Sequence, residues 1–180
     1  MKRKKYITIF CSSSEIDEKY IKPTKILCKE LAKKGFNLVW GGTDFGLMKI
    51  VADEFEKQGK ELIGITLDPF KHKTKKTALE MILAPTLAIR IETMINRGDI
   101  IMILPGGLGT LNELAMAIEF RKIAINNKPT LIFNIEGFYN GLKDQLEIIQ
   151  KEGFIQKSIN DLVFFANTSK EAMRFIERSI

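Results

Sequence analysis

Short apolar runs alternate with amphipathic stretches from one end of the chain to the other, and this alternation restricts the fold more than any other feature. The run at residues 100–104 is wholly apolar, as expected of a strand covered on both faces. Similar runs at 6–11, 37–40, 62–66, 79–83, 130–133 and 162–165 read as further strands. The stretches at 16–34, 46–58, 110–123 and 138–151 carry helical periodicity. Another helix opens at Pro85 and Thr86, carries Arg90, Met94 and Arg97 at helical spacing, and stops at Gly98. Thr168 and Glu171 are spaced as a capping box for a terminal helix. Residues 68–77, with Pro69 and several lysines, read as a polar loop. Repeated β-α units of this kind feed a parallel sheet, which predicts a three-layer α/β fold with helices on both faces. No repeat, low-complexity segment or linker interrupts the pattern, so one domain is expected over 1–180.

With 180 residues, 45% hydrophobic and 28% charged, the chain can bury a core without disulfides, and disorder, collagen and coiled coil are excluded. Apolar stretches such as 100–105 fall far short of the roughly 20 residues a membrane-spanning helix needs. The basic start at 1–5 precedes an apolar run too short for a signal peptide, so a cytoplasmic location is expected. Cys11 and Cys28 form no CxxC pair and read as structural thiols. His72 is the only histidine, so zinc ligand sets and Ser-His-Asp triads are unavailable, and neither metal nor cofactor is expected. The net charge of +6 concentrates at the N-terminus and at 71–76. The second run reads as a solvated loop, with anionic metabolites or nucleic acid as the alternative. No aromatic residues interleave with its lysines to stack on bases, so a nucleic-acid partner is not expected.

The sharpest motif is Pro105-Gly106-Gly107-Leu108-Gly109-Thr110-Leu111-Asn112-Glu113, between the apolar strand and a helix. Glycines let backbone N–H groups approach a ligand, and a helix N-terminus presents unpaired donors with partial positive charge, so this is a candidate phosphate cradle. The plainer alternative is a glycine turn with Thr110 as an ordinary N-cap. A second turn, Gly41-Gly42-Thr43-Asp44-Phe45-Gly46-Leu47-Met48, also follows a strand and opens a helix. Two such turns at the carboxyl ends of parallel strands border one crevice. Neither a GxGxxG fingerprint nor a Walker lysine is present. Glu113, one turn into its helix, is placed to set a carboxylate beside the cradle, with an ordinary surface helix residue as the alternative. Arg90 is the only charge within 87–91 and is a candidate anion ligand, with a structural ion pair as the alternative.

These residues resemble the LONELY GUY (LOG) family: PGGxGTxxE at 105–113, the upstream Arg90, and GGxxxGLM at 41–48. The resemblance runs from about residue 6 to 155. It includes Cys11-Ser12-Ser13-Ser14, where members often read CGSS, and Gly137-Phe138-Tyr139, where they read GYY or GFY. It implies a Rossmann-like fold, usually dimeric, and hydrolysis of the N-glycosidic bond of a purine nucleoside 5′-monophosphate, including N6-modified cytokinin types, to free base and ribose 5-phosphate. By the same resemblance Arg90 and Glu113 are the candidate catalytic residues, Arg90 either binding the phosphate or helping the departing base, and Gly106, Gly107, Gly109 and Thr110 the phosphate loop. Gly42, Thr43, Ser12 and Met94 complete the candidate binding set. The expected partner is the small nucleotide, with no nucleic acid or membrane, in a homodimer; apolar residues such as Met94, Met116 and Phe120 are candidates to line its interface, with ordinary core burial as the equal alternative. The chain departs from the pattern at Ile91, where members commonly carry lysine, and at Ala88, Lys49 and Asn112. A non-catalytic carrier of a nucleotide-like ligand, such as a molybdenum-cofactor carrier, is the second reading; only the enzyme needs Glu113 as a chemical group.

Overall fold

A computed structural model describes residues 3–179, so Met1 and Lys2 of the basic start and Ile180 lie outside the described residues. The apolar runs form seven strands: β1 (Lys5–Phe10), β2 (Phe36–Trp40), β3 (Leu62–Leu67), β4 (Glu80–Ala84), β5 (Ile100–Ile103), β6 (Thr130–Phe133) and β7 (Phe164–Ala166). They pair in the order β4-β3-β2-β1-β5-β6-β7, every pair parallel. The chain winds outward from β1 to β4, then crosses back to lay β5 on the other side of β1. That reversal parts the loops after β1 and β5, the place where doubly wound sheets hold ligands.

Among the described residues seven helices cover the sheet: α1 (Glu18–Lys33), α2 (Gly46–Glu56), α3 (Leu87–Arg97), α4 (Leu108–Lys122), α5 (Asn140–Lys151), α6 (Ile159–Leu162) and α7 (Ser169–Arg178). Alternate strand residues serve two cores, which is why β5 is wholly apolar and the other runs are mostly so. Ile7, Ile9, Leu38, Trp40, Ile100 and Met102 pack under α1, α2 and α7. Phe10, Val39, Ile63, Ile65, Ile101 and Ile103 pack under α3, α4, α5 and α6. The fold is the expected Rossmann-like three-layer α/β arrangement.

Three local expectations are corrected. The polar loop begins as a 3-10 turn, Asp68–Lys73, and the chain after it is tied to the turn following β2. Leu162 ends a short helix instead of starting a strand, because Ser158 caps that helix by accepting from the Asn160 N–H and Leu162 is buried beneath it. Helix α4 begins at Leu108, with Gly107 as its N-cap, so Thr110 is not the cap. At the C-terminus Thr168 does cap α7, its hydroxyl accepting from the Glu171 N–H at 3.2 Å.

Candidate active site

The turn between β5 and α4 leaves donors free. No side chain caps α4 and no acid occupies its first turn, so the N–H groups of Leu108, Gly109 and Thr110 have no partner among the described residues. A Cβ at Gly107 or Gly109 would meet nothing within 4 Å, so both backbones face open space. Gly106 is different: a Cβ there would strike the Thr110 hydroxyl, which is folded back and buried against the turn. From below, the Tyr139 hydroxyl donates to the Leu104 carbonyl at 2.9 Å. Burial raises the pKa of that phenol, so it stays a neutral donor.

Arg90 and Glu113 reach the same place from different helices. Arg90 Nε donates to the Ile65 carbonyl at 2.9 Å and its Nη1 to Glu113 Oε1 at 2.8 Å. The two residues are 7% and 4% exposed, so the pair is almost out of water. Burial pushes the Glu113 pKa above the ordinary carboxylate range, and the adjacent guanidinium offsets this only in part. A Cβ at Gly41 would collide with the Arg90 guanidinium and the Met48 thioether, so that glycine is needed to let the arginine pass.

The pair opens into a cavity of about 300 Å³. Of the residues expected there, Ser12, Thr43, Arg90, Gly107, Gly109, Thr110 and Glu113 line it. Three others do not. Gly42, at φ +78°, packs against the Met81 sulfur. Gly106 serves the Thr110 contact. Met94 is a correction: it is fully buried in the core with Ile91 and Ile95, so it can line neither the cavity nor a subunit interface. Ile91 is likewise wholly buried and borders none of the cavity, so the lysine absent from that position leaves no gap in its wall. Met116 and Phe120 are half-buried against the same core.

Sequence reasoning missed the Ile65 carbonyl, a backbone group on β3 that no residue identity could reveal. It also missed Leu67, Phe70 and Leu87 on the cavity wall, of which Phe70 had a visible signal as the lone aromatic beside the lysine run. Cys11 lines the floor, and burial raises its thiol pKa far out of the reactive range, in keeping with a structural role.

A family model described as "Possible lysine decarboxylase" matches residues 48–176. Among curated relatives, the cytokinin riboside 5′-monophosphate phosphoribohydrolase LOG3 of Arabidopsis thaliana is 32% identical, over 95% of this chain and 81% of its own length. The probable enzyme of the same name, LOGL2, of Oryza sativa is 33% identical, over 95% and 71%. The chain belongs to the LOG family. Among solved structures, the molybdenum cofactor binding protein of Rippkaea orientalis superimposes on this LOG-family chain with a TM-score of 0.75 at 22% identity, covering 99% and 98% of the two chains. The molybdenum cofactor carrier protein of Chlamydomonas reinhardtii does so with 0.73 at 18%, covering 98% of each. At such identities the likeness concerns the fold. No helix among the described residues is long and apolar enough to cross a membrane.

Proposed function

We propose that the crevice hydrolyses the N-glycosidic bond of purine nucleoside 5′-monophosphates, unmodified or N6-modified, to free base and ribose 5-phosphate. The observation that carries this reading is a buried Arg90–Glu113 pair facing the same cavity as an uncapped, glycine-bordered helix N-terminus. The 5′-phosphate sits on the N–H groups of the first turn of α4, with Gly107 and Gly109 leaving room for it. The dipole contributes only about 0.3–2 kcal/mol, so the several charge-assisted N–H bonds carry most of the affinity.

As the C1′–N bond breaks, its electron pair leaves with the base and positive charge builds on the ribose. An ionised carboxylate facing the sugar stabilises that charge and accepts the proton of the attacking water, whose oxygen becomes the new C1′ hydroxyl. The departing base nitrogen takes up a proton from solvent, and the carboxyl group returns its own to solvent to restore the carboxylate. Glu113, which lines the cavity, takes that role in this scheme. Arg90, fixed by the Ile65 carbonyl, holds the carboxylate in place and favours its charged form, which makes it a positioning residue in this scheme.

Named relatives at about one-third identity over most of their length support hydrolysis over passive carriage of a nucleotide-like ligand. A carrier uses the phosphate cradle but has no use for a carboxylate held out of water. The chain acts as one domain, in the cytoplasm. It works as a homodimer through the exposed apolar side chains Leu87 and Ile89 on α3 and Leu108 and Leu111 on α4, a state that light scattering measures. The deciding experiment incubates purified protein with AMP, GMP, CMP, UMP and N6-isopentenyl AMP and separates products by liquid chromatography. Release of base from a monophosphate but not from its nucleoside is the expected result. Binding of nucleotide without release from any compound would give the carrier reading the lead.

A further inference from the structure

The basic run is solvated at Lys71, His72, Lys73 and Lys76, as expected of a loop, but its backbone is held against the crevice. After the 3-10 turn at Asp68–Lys73, the chain doubles back along the turn that follows β2. The Asp44 N–H donates to the Lys73 carbonyl at 2.8 Å, the Lys75 N–H donates to the Gly42 carbonyl at 3.0 Å, and Thr43 and Thr74 form a β-bridge. Lys75 is the anchor. Only 7% exposed, its Nζ lies 2.7 Å from Asp53 Oδ1 and 3.1 Å from Glu56 Oε2.

With Lys75 turned inward, its neighbours are left facing the other way. His72, Lys73 and Lys76 line a second chamber of about 530 Å³. Ser13, Thr43 and Phe70 wall both this chamber and the cavity that holds Arg90 and Glu113, so the two spaces adjoin. Among the described residues, His72, Lys73 and Lys76 form no ion pair. The one acid on the chamber wall, Asp44, already faces Lys49 at 3.4 Å and Lys75 at 3.7 Å. The chamber therefore holds two uncompensated lysines in a concave setting, where field lines converge and an anion is favoured.

We propose that this chamber is an anion subsite at the base end of the crevice, and that the preferred substrates are nucleoside 5′-monophosphates whose base bears a carboxylate on its exocyclic substituent. The proposal rests on the phosphoribohydrolase reading for its orientation. With the 5′-phosphate at α4 and the ribose beside Glu113, the base points at Thr43, Met48 and Phe70, and anything attached beyond it enters the second chamber. An apolar substituent meets half-exposed Phe45 and Phe70 there but leaves both lysines unpaired. A carboxylate in that chamber pairs with them.

The test compares AMP, N6-isopentenyl AMP and N6-(1,2-dicarboxyethyl)-AMP by calorimetry and by base release, at low salt, with wild type and Lys73→Ala/Lys76→Ala. The dicarboxyethyl compound is expected to bind about tenfold more tightly than AMP, an advantage that shrinks as salt is added. In the double variant the advantage should fall to within twofold, while AMP affinity, AMP turnover and the melting temperature stay at wild-type values. Equal or weaker binding than AMP, or an advantage that survives in the variant, overturns the proposal. So does inorganic phosphate that binds alongside AMP and is lost in the variant, because the chamber would then take a separate anion. Failure of the hydrolase reading is distinguishable: no base appears from any compound, yet the affinity ranking still decides the subsite.

Discussion

The two glycine-rich turns look alike in the sequence, each following a strand and opening a helix, yet they do opposite things. The turn at 41–46 is closed by the protein itself: Arg90 and Met48 fill the space beside Gly41, and the Ser13 carbonyl fills it beside Gly46, which sits at φ +56°. The Met48 N–H donates to the Ser12 carbonyl at 3.1 Å, so the start of α2 has an internal partner. The turn at 105–109 is open past Gly106, whose space Thr110 fills: Gly107 and Gly109 have empty space where side chains would be, and the first N–H groups of α4 are unpaired among the described residues. Glycine in the first turn admits other parts of the chain. In the second, Gly107 and Gly109 leave space that the chain itself does not fill.

The largest effect expected on this division is chemical. Glu113→Gln keeps the shape of the open side but removes the charge, and kcat should fall by about 10²–10⁴-fold with nucleotide affinity within a few-fold. Unchanged turnover would take Glu113 out of the mechanism. The same carboxylate should set the acidic limb of the wild-type pH profile. Because burial disfavours its ionised form, kcat/KM should rise with pH along a limb above the ordinary carboxylate range, as Glu113 loses its proton and its pairing with Arg90 becomes charged on both sides. Glu113→Gln should abolish that limb, and a profile falling with pH over the same range would instead mark Glu113 as a proton donor.

Backbone fit comes next. Gly46→Ala combines a left-handed φ with a collision against the Ser13 carbonyl, and should cost about 2–4 kcal/mol in urea unfolding. Gly41→Ala meets the movable ends of two side chains, so a smaller loss of about 1–2 kcal/mol is expected. It should also cut turnover about tenfold or more by displacing Arg90 from Glu113. If Gly41→Ala lowered stability alone, the guanidinium would not be positioning anything.

The smallest stability effect belongs to the open turn. Gly107→Ala has an ordinary φ of −90° and an empty space to fill, so the melting transition should move by less than about 0.5 kcal/mol. Affinity for a nucleoside monophosphate should nonetheless fall by about three- to tenfold, because the added methyl stands where a phosphate would approach. A stability loss matching that of Gly46→Ala would erase the contrast between the turns.

Most of the fold was legible because strand and helix signals are local. Parallel strands covered on both faces are mostly apolar, and short apolar runs located all seven strands to within a few residues. The misjudged places were those where distant residues intervene. Residues 68–77 looked like a free loop because nothing in them announces Asp53 and Glu56, which lie on α2 and draw Lys75 inward. Met94 carried the helical spacing of Arg90, but spacing does not say which side of α3 faces the sheet.

The sequence by itself determined the parallel α/β architecture, the positions of both glycine turns and the identity of the arginine and glutamate. Periodicity and residue chemistry act over a few positions and are written in order along the chain. Only the tertiary structure decided that Arg90 and Glu113 meet, that the Ile65 carbonyl fixes their geometry, and that one glycine turn is filled while the other stands open. Those facts depend on elements far apart in sequence arriving within a hydrogen bond of each other, and burial then gives the resulting contacts their chemical character.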